Sequence, residues 1–153
     1  MYFEDVPLHD KRVLGSYTFT EENIIAFARA YDPQSFHVDK EAAERSPYRG
    51  LIASGWHTAA VWMKLMLEHR RARVAAGEDQ VQDNFVSPGV RDLKWLKPVR
   101  PGMTLTYTNE SVAKREWPSR PGFGLIEGIN EARDEKGELY YSFINRVLIA
   151  RRP

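Results

Sequence analysis

Asp32 and His37 stand in the stretch YDPQSFHVD (31–39), and LIASGWHT (51–58) follows twelve residues on. A carboxylate and an imidazole that converge in a water-poor cleft can work as an acid/base pair. The carboxylate orients the ring, and the imidazole titrates near neutrality. Their spacing puts both side chains on one face of neither a helix nor a strand, so only a turn can bring them together. The same residues also have a plainer use: Asp32 capping a turn, Asp39 capping a helix over 40–46, and His37 a partly exposed loop histidine.

Ser54-Gly55 supplies a second element. A long helix is expected to begin here, and the free N–H groups at its N-terminus, beside a glycine that permits close approach, suit a carbonyl oxygen or a developing oxyanion. Ordinary capping by Ser54 explains the serine equally well. His57, one turn into the helix, is compatible with lining a site and with being a satisfied core histidine. Trp56, Trp62, Trp95 and Trp117 fit core or interface positions better than ligand stacking. The arginines at 70, 71 and 73 suit a solvated helix end. Arg115, Arg120, Arg146, Arg151 and Arg152 could grip phosphates, but nothing in the sequence selects among them.

Other chemistries lose their footing. The chain has no cysteine, which removes disulfides, thiolate nucleophiles and cysteine metal sites. Histidines 9, 37, 57 and 69 lack metal-ligand spacing, and no GxGxxG, P-loop or Gly-x-Ser-x-Gly pattern occurs. Lysine plus arginine total 22 against 21 acidic residues, a net charge of +1, so no global field calls for nucleic acid or an anionic membrane. The N-terminus MYFEDVPLHDKRVLG carries no apolar signal region, and no apolar run has the length to span a bilayer. A soluble, cytoplasmic protein is expected. At 153 residues, 42% of them hydrophobic, the chain can bury a core as one domain over 1–153.

The elements that must position these residues follow from pattern. VLGSYTFT (13–20) reads as a strand. Thr20 then begins a helix over 21–31, with Glu21 and Glu22 in the first turn and Ile24, Ile25, Phe27 and Ala28 as its apolar stripe. Pro33 restricts Asp32 to extended conformations and stops that helix, leaving YDPQSF as a turn. A short helix is expected over 40–46. From Gly55 to Gly77 no proline or glycine interrupts the chain, and the first half of this run is apolar on most sides, which predicts a buried central helix over about 55–75. Residues 78–89 have loop composition. Four strand-like runs then follow, VRDLKWLKPV, MTLTYTNESVAKRE, FGLIEGINEARDE and ELYYSFINRVLIARR, separated by short Pro- and Gly-bearing turns. The reading is α+β, an antiparallel sheet of about five strands around one long helix.

Taken in order, Asp32, His37, Asp39, Ala42-Ala43, Tyr48-Arg49-Gly50, Ile52 and Ser54-Gly55 resemble the signature of the MaoC-like acyl dehydratases, the (R)-specific enoyl-CoA hydratase family. LKWLKPVRPGMTL (93–105) resembles that family's strand-turn-strand, and GLIEGINEARDEKGELYY its closing hairpin. The resemblance implies a hotdog fold, with the sheet wrapping the central helix and segment 21–54 as the catalytic insertion. It implies Asp32 and His37 as the catalytic pair, the Gly55 N–H as polariser of a thioester carbonyl, and Ser54, Trp56 and His57 at the substrate pocket. The reaction implied is reversible addition of water to a trans-2-enoyl thioester carried on CoA or an acyl-carrier protein, in fatty acid metabolism. No metal or redox cofactor is implied, no nucleic-acid or membrane partner, and a homodimer or larger homo-oligomer is expected.

Three departures from the family pattern stand out. Proline follows Asp32 directly, serine replaces the histidine of the His-Gly pair, and Val61, Trp62 and Met63 stand where the family often has a helix serine. The bulk of Trp56, His57 and Trp62 predicts a small or polar acyl group. Two further readings of such a fold are a thioesterase, with Asp32 directing water at the thioester carbonyl, and a non-catalytic acyl-thioester-binding or partner subunit.

Overall fold

The computed structural model describes residues 1–79 and 86–153. Helices α1 (Glu21–Tyr31), α2 (Ser35–Val38), α3 (Lys40–Arg45) and α4 (Gly55–Ala75) follow strand β1 (Lys11–Phe19). Strands β2 (Val86–Trp95), β3 (Met103–Glu116), β4 (Phe123–Arg133) and β5 (Leu139–Ala150) come after them. One sheet takes all five strands in the order β1-β3-β4-β5-β2, with every neighbouring pair antiparallel. This is the α+β hotdog arrangement: the sheet wraps α4, and Val61, Trp62 and Leu65 pack against Leu14, Phe19, Leu105, Tyr107, Tyr141 and Phe143. Burying one large apolar side chain of this kind stabilises the fold by roughly 1.5–3 kcal/mol.

Local chemistry explains most boundaries. Thr20 caps α1 by accepting the Asn23 N–H at 3.1 Å, and Asp39 caps α3 by accepting that of Ala42 at 3.0 Å. Pro33 ends α1, so that Asp32 becomes its C-cap with φ −151° and ψ 69°. The expected turn over YDPQSF is tighter than its composition suggests: after Pro33 and Gln34, residues 35–38 wind into the single turn of α2. Gly15 sits at a bulge in β1 with φ 147°, and a Cβ there would lie 3.1 Å from Leu65. Glycine thus lets the strand close on the helix.

Two expectations need correction. Residues 86–89, read as loop, belong to β2, because an edge strand tolerates Pro88-Gly89 at a register irregularity between Val86 and Gly89; residues 80–85 of that expected loop lie outside the described residues. Nor is the first half of α4 buried on all sides. His57, Thr58, Val61, Trp62 and Leu65 face the sheet, whereas Trp56, Met63 and Leu67 are exposed, since one sheet covers only one side of a helix.

Beneath α4 lies a polar knot. Asn130 on β4 has no exposed surface, and its oxygen accepts from the Trp62 indole N–H and from Asn109, both at 2.8 Å. Its nitrogen donates to the Gly128 carbonyl and to Asn145, so every polar valence of a buried amide is met. Among the described residues no helix is long and apolar enough to cross a membrane.

Candidate active site

The site is built where α1 stops and α4 starts. As C-cap of α1, Asp32 projects toward the α4 N-terminus, and the turn of α2 returns His37 to it: His37 Nε2 lies 3.3 Å from Asp32 Oδ2. The awkward sequence spacing is therefore resolved by one extended pair of residues followed by one helical turn. His37 is buried, and its Nδ1 lies 2.7 Å from the Ile52 carbonyl oxygen. A carbonyl only accepts, so Nδ1 carries a proton and Nε2 is the nitrogen presented to Asp32.

Both carboxylate oxygens of Asp32 are held. Gln34 Nε2 donates to Oδ1 at 2.8 Å, and Ser54 Oγ donates to Oδ2 at 2.6 Å. Burial acts to raise the pKa of this carboxyl. The donors from Ser54 and Gln34, with His37 alongside, outweigh it and hold the group below the ordinary carboxylate value.

Ser54 caps α4, accepting the Trp56 N–H at 3.3 Å. The Gly55 N–H, one residue on, donates to no acceptor among the described residues. Glycine is required at 55 by contact: a Cβ there would lie 2.5 Å from the Trp95 indole, which rests on the helix start. Trp95 in turn meets Trp56 edge-on, with ring centroids 5.0 Å apart.

These groups open on one cavity of about 490 Å³. Asp32, His37 and Gly55 line it together with Trp56, Thr58, Phe36, Tyr48, Trp95 and Tyr140, and with the 96–99 segment. The segment is tied to the α4 entrance by a hydrogen bond from Ala53 N–H to the Val99 carbonyl, 2.8 Å long. Walls of this kind are apolar and aromatic, with a few convergent polar groups, as small-molecule sites usually are.

Two residues expected at the pocket do not line it. Ser54 has no exposed surface, because its hydroxyl is spent on Asp32 and the helix cap. His57 points the other way, stacked on Phe27 at 4.6 Å and edged by Tyr17 and Phe19, with Nδ1 buried and unpartnered. Burial lowers its pKa to about 4, so the ring is neutral. Trp62, also expected to narrow the pocket, is engaged with Asn130 and Phe143 instead. Cavity residues to which the sequence reading gave no role include Gln34, Thr58, Tyr48 and Tyr140. Of these, Gln34 lies two residues after Asp32, Tyr48 stands in the family signature and Tyr140 in the closing hairpin, whereas Thr58 carried no signal of its own. Arg115 and Arg146 converge on the buried Glu127, and Arg151 and Arg152 pair with Glu4 and Asp5, all with carboxylates that are not among the cavity residues.

The chain is 29% identical over 132 residues to the Bacillus subtilis protein YdeM, covering 86% of each. A crystal structure of a MaoC-like dehydratase from Rhodospirillum rubrum superposes with a TM-score of 0.84 at 31% identity, over 100% of this chain and 99% of that one. The (R)-hydratase from A. caviae involved in PHA biosynthesis shares the fold, with a TM-score of 0.70 at 20% identity over 98% and 99% of the two chains. The model of the MaoC-like domain matches residues 6–123. With most of its length matched by that model, the chain belongs to the MaoC-like dehydratase family.

Proposed function

We propose that the protein is an acyl dehydratase/hydratase that adds water reversibly to a trans-2-enoyl thioester, giving a 3-hydroxyacyl thioester on CoA or an acyl-carrier protein. One observation carries this reading: Asp32, His37 and Gly55 line a single cavity, and the Gly55 N–H has no acceptor among the described residues. The Gly55 N–H donates a hydrogen bond to the thioester oxygen, strengthened by the positive end of α4. Charge is drawn from the β-carbon, and water held between Asp32 and His37 attacks there. A proton then reaches the α-carbon from the same side of the cavity. The balance is complete with water and the enoyl thioester alone, so the reaction needs no metal or redox cofactor.

Aromatic walls from Trp56, Trp95, Tyr48 and Tyr140 favour a short acyl group over a long one. The setting we infer is cytoplasmic acyl-thioester metabolism, with a homodimer as the working unit.

A spectrophotometric assay tests the proposal. With crotonyl-CoA, the conjugated-enoyl absorbance should fall without release of free thiol. Asp32→Asn and His37→Ala should each lower kcat/KM by roughly 10²-fold or more, the scale of a lost acid/base group. Thiol release would mean a thioesterase, and tight binding with no turnover a binding subunit. Activity that survives both substitutions would remove Asp32 and His37 from the mechanism.

A further inference from the structure

We propose that Ser54 is the positioning residue for Asp32, fixing its working oxygen to the start of α4; this rests on the reading of Asp32 as half of the acid/base pair. A serine at a helix N-cap needs only its oxygen, which accepts a backbone N–H. Ser54 uses it that way, at 3.3 Å from the Trp56 nitrogen. Its hydroxyl hydrogen is then left over, and with no exposed surface it has no water to donate to. It goes to Asp32 Oδ2 at 2.6 Å, the short distance of a hydrogen bond to an ionised acceptor.

The choice of oxygen matters. Oδ2 is the one that faces His37 Nε2, whereas Oδ1 is held by Gln34, a residue open to solvent. Water can replace the Gln34 donor if it is lost. Nothing can replace Ser54 inside the protein, so losing it would leave the oxygen nearest His37 without a neutral donor and make the carboxylate costlier to ionise. One serine thereby links two elements: it holds the helix end that presents the Gly55 N–H, and it holds the carboxylate that must sit at a fixed distance from that N–H. Small displacements between such groups cost rate steeply.

Titration of the Asp32 side-chain carboxyl carbon, followed by ¹³C NMR and assigned with Asp32→Asn, reads this coupling with or without turnover. In Ser54→Ala the Asp32 titration should move up by roughly one pH unit, and the acid limb of the kcat profile should move with it. Away from that limb, kcat should fall about tenfold or more with little change in KM, as for an interaction made in the transition state. Ser54→Thr, which restores the hydroxyl, should bring both back toward wild type. Should alanine compromise folding, Ser54→Gly serves instead, because helix N-caps tolerate glycine nearly as well as serine. An Asp32 titration unchanged in a folded Ala or Gly variant overturns the proposal. A wild-type protein inactive on enoyl thioesters would remove the hydratase reading and leave the coupling to be judged by the titration alone.

Discussion

Histidine 57 shows how one residue type serves opposite ends two positions from a catalytic candidate. Where His37 is aimed at a carboxylate, His57 is enclosed by Tyr17, Phe19 and Phe27 and stays neutral, with its pKa lowered to about 4 from the ordinary 6.5 by burial. On acidification the unfolded chain takes up this proton first. The contribution is therefore fully present above about pH 6.5 and is lost as pH falls toward 4. A shift of this size corresponds to on the order of 3 kcal/mol. Urea unfolding between pH 7 and pH 4.5 should show wild-type stability falling faster than that of His57→Phe, which keeps the aromatic packing and drops the titration. Parallel curves for the two proteins would refute the assignment. The core position of His57 was one of two readings that the sequence left open, because the identities of residues 55–58 do not say which face of α4 each one presents. The Ser54 hydroxyl was hidden for a similar reason: capping chemistry predicts its acceptor role and says nothing of where its proton goes.

At the level of elements, patterning gave much more. The bounds of α1, the Asp39 cap of α3 and the start of α4 follow from Pro33, from capping residues and from an uninterrupted apolar run. Helix α2 did not announce itself, since four residues carry no periodicity. The start of β2 was masked by Pro88-Gly89, which composition assigns to a loop and an edge strand absorbs. The junction of α4 with β2 is the most demanding contact in the site. Gly55→Ala would drive a methyl into Trp95, where the Cβ position is only 2.5 Å from the ring. We expect this variant to lose most hydratase activity and to be destabilised by about 1–3 kcal/mol, the scale of overpacking. Pairing it with Trp95→Ala should recover stability relative to the single change. If Gly55→Ala alone retained wild-type activity and Tm, the close approach would not be needed.

For the molecule as a whole, one feature is left open by a lone chain. Trp56, Met63 and Leu67 on α4 and Val90, Trp95 and Leu96 on and just beyond β2 are each 40–60% exposed. Among the described residues no strand lies beside the outer edge of β2. An exposed apolar face next to an open sheet edge is what self-association covers. Sedimentation velocity should find a dimer at micromolar concentration, and Met63→Lys should weaken it without unfolding the protein. A wild-type monomer under those conditions would contradict the expectation. Because Trp56 and Trp95 also line the cavity, a dimer-breaking change should raise KM as well.

The Asn130 knot has a further consequence for how the chain finds this arrangement. Sliding β4 by one residue against β3 and β5 would turn Asn130 to the other face of the sheet, replacing it under α4 with Ile129 or Glu131. The Trp62 indole N–H would then face a hydrocarbon or a charge, and Asn109 and Asn145 would lose their shared partner. A buried amide with three bonds to other elements in one alignment and none of them in the next acts as a key that rejects misaligned sheets. It gives the fold uniqueness where packing alone would accept near neighbours.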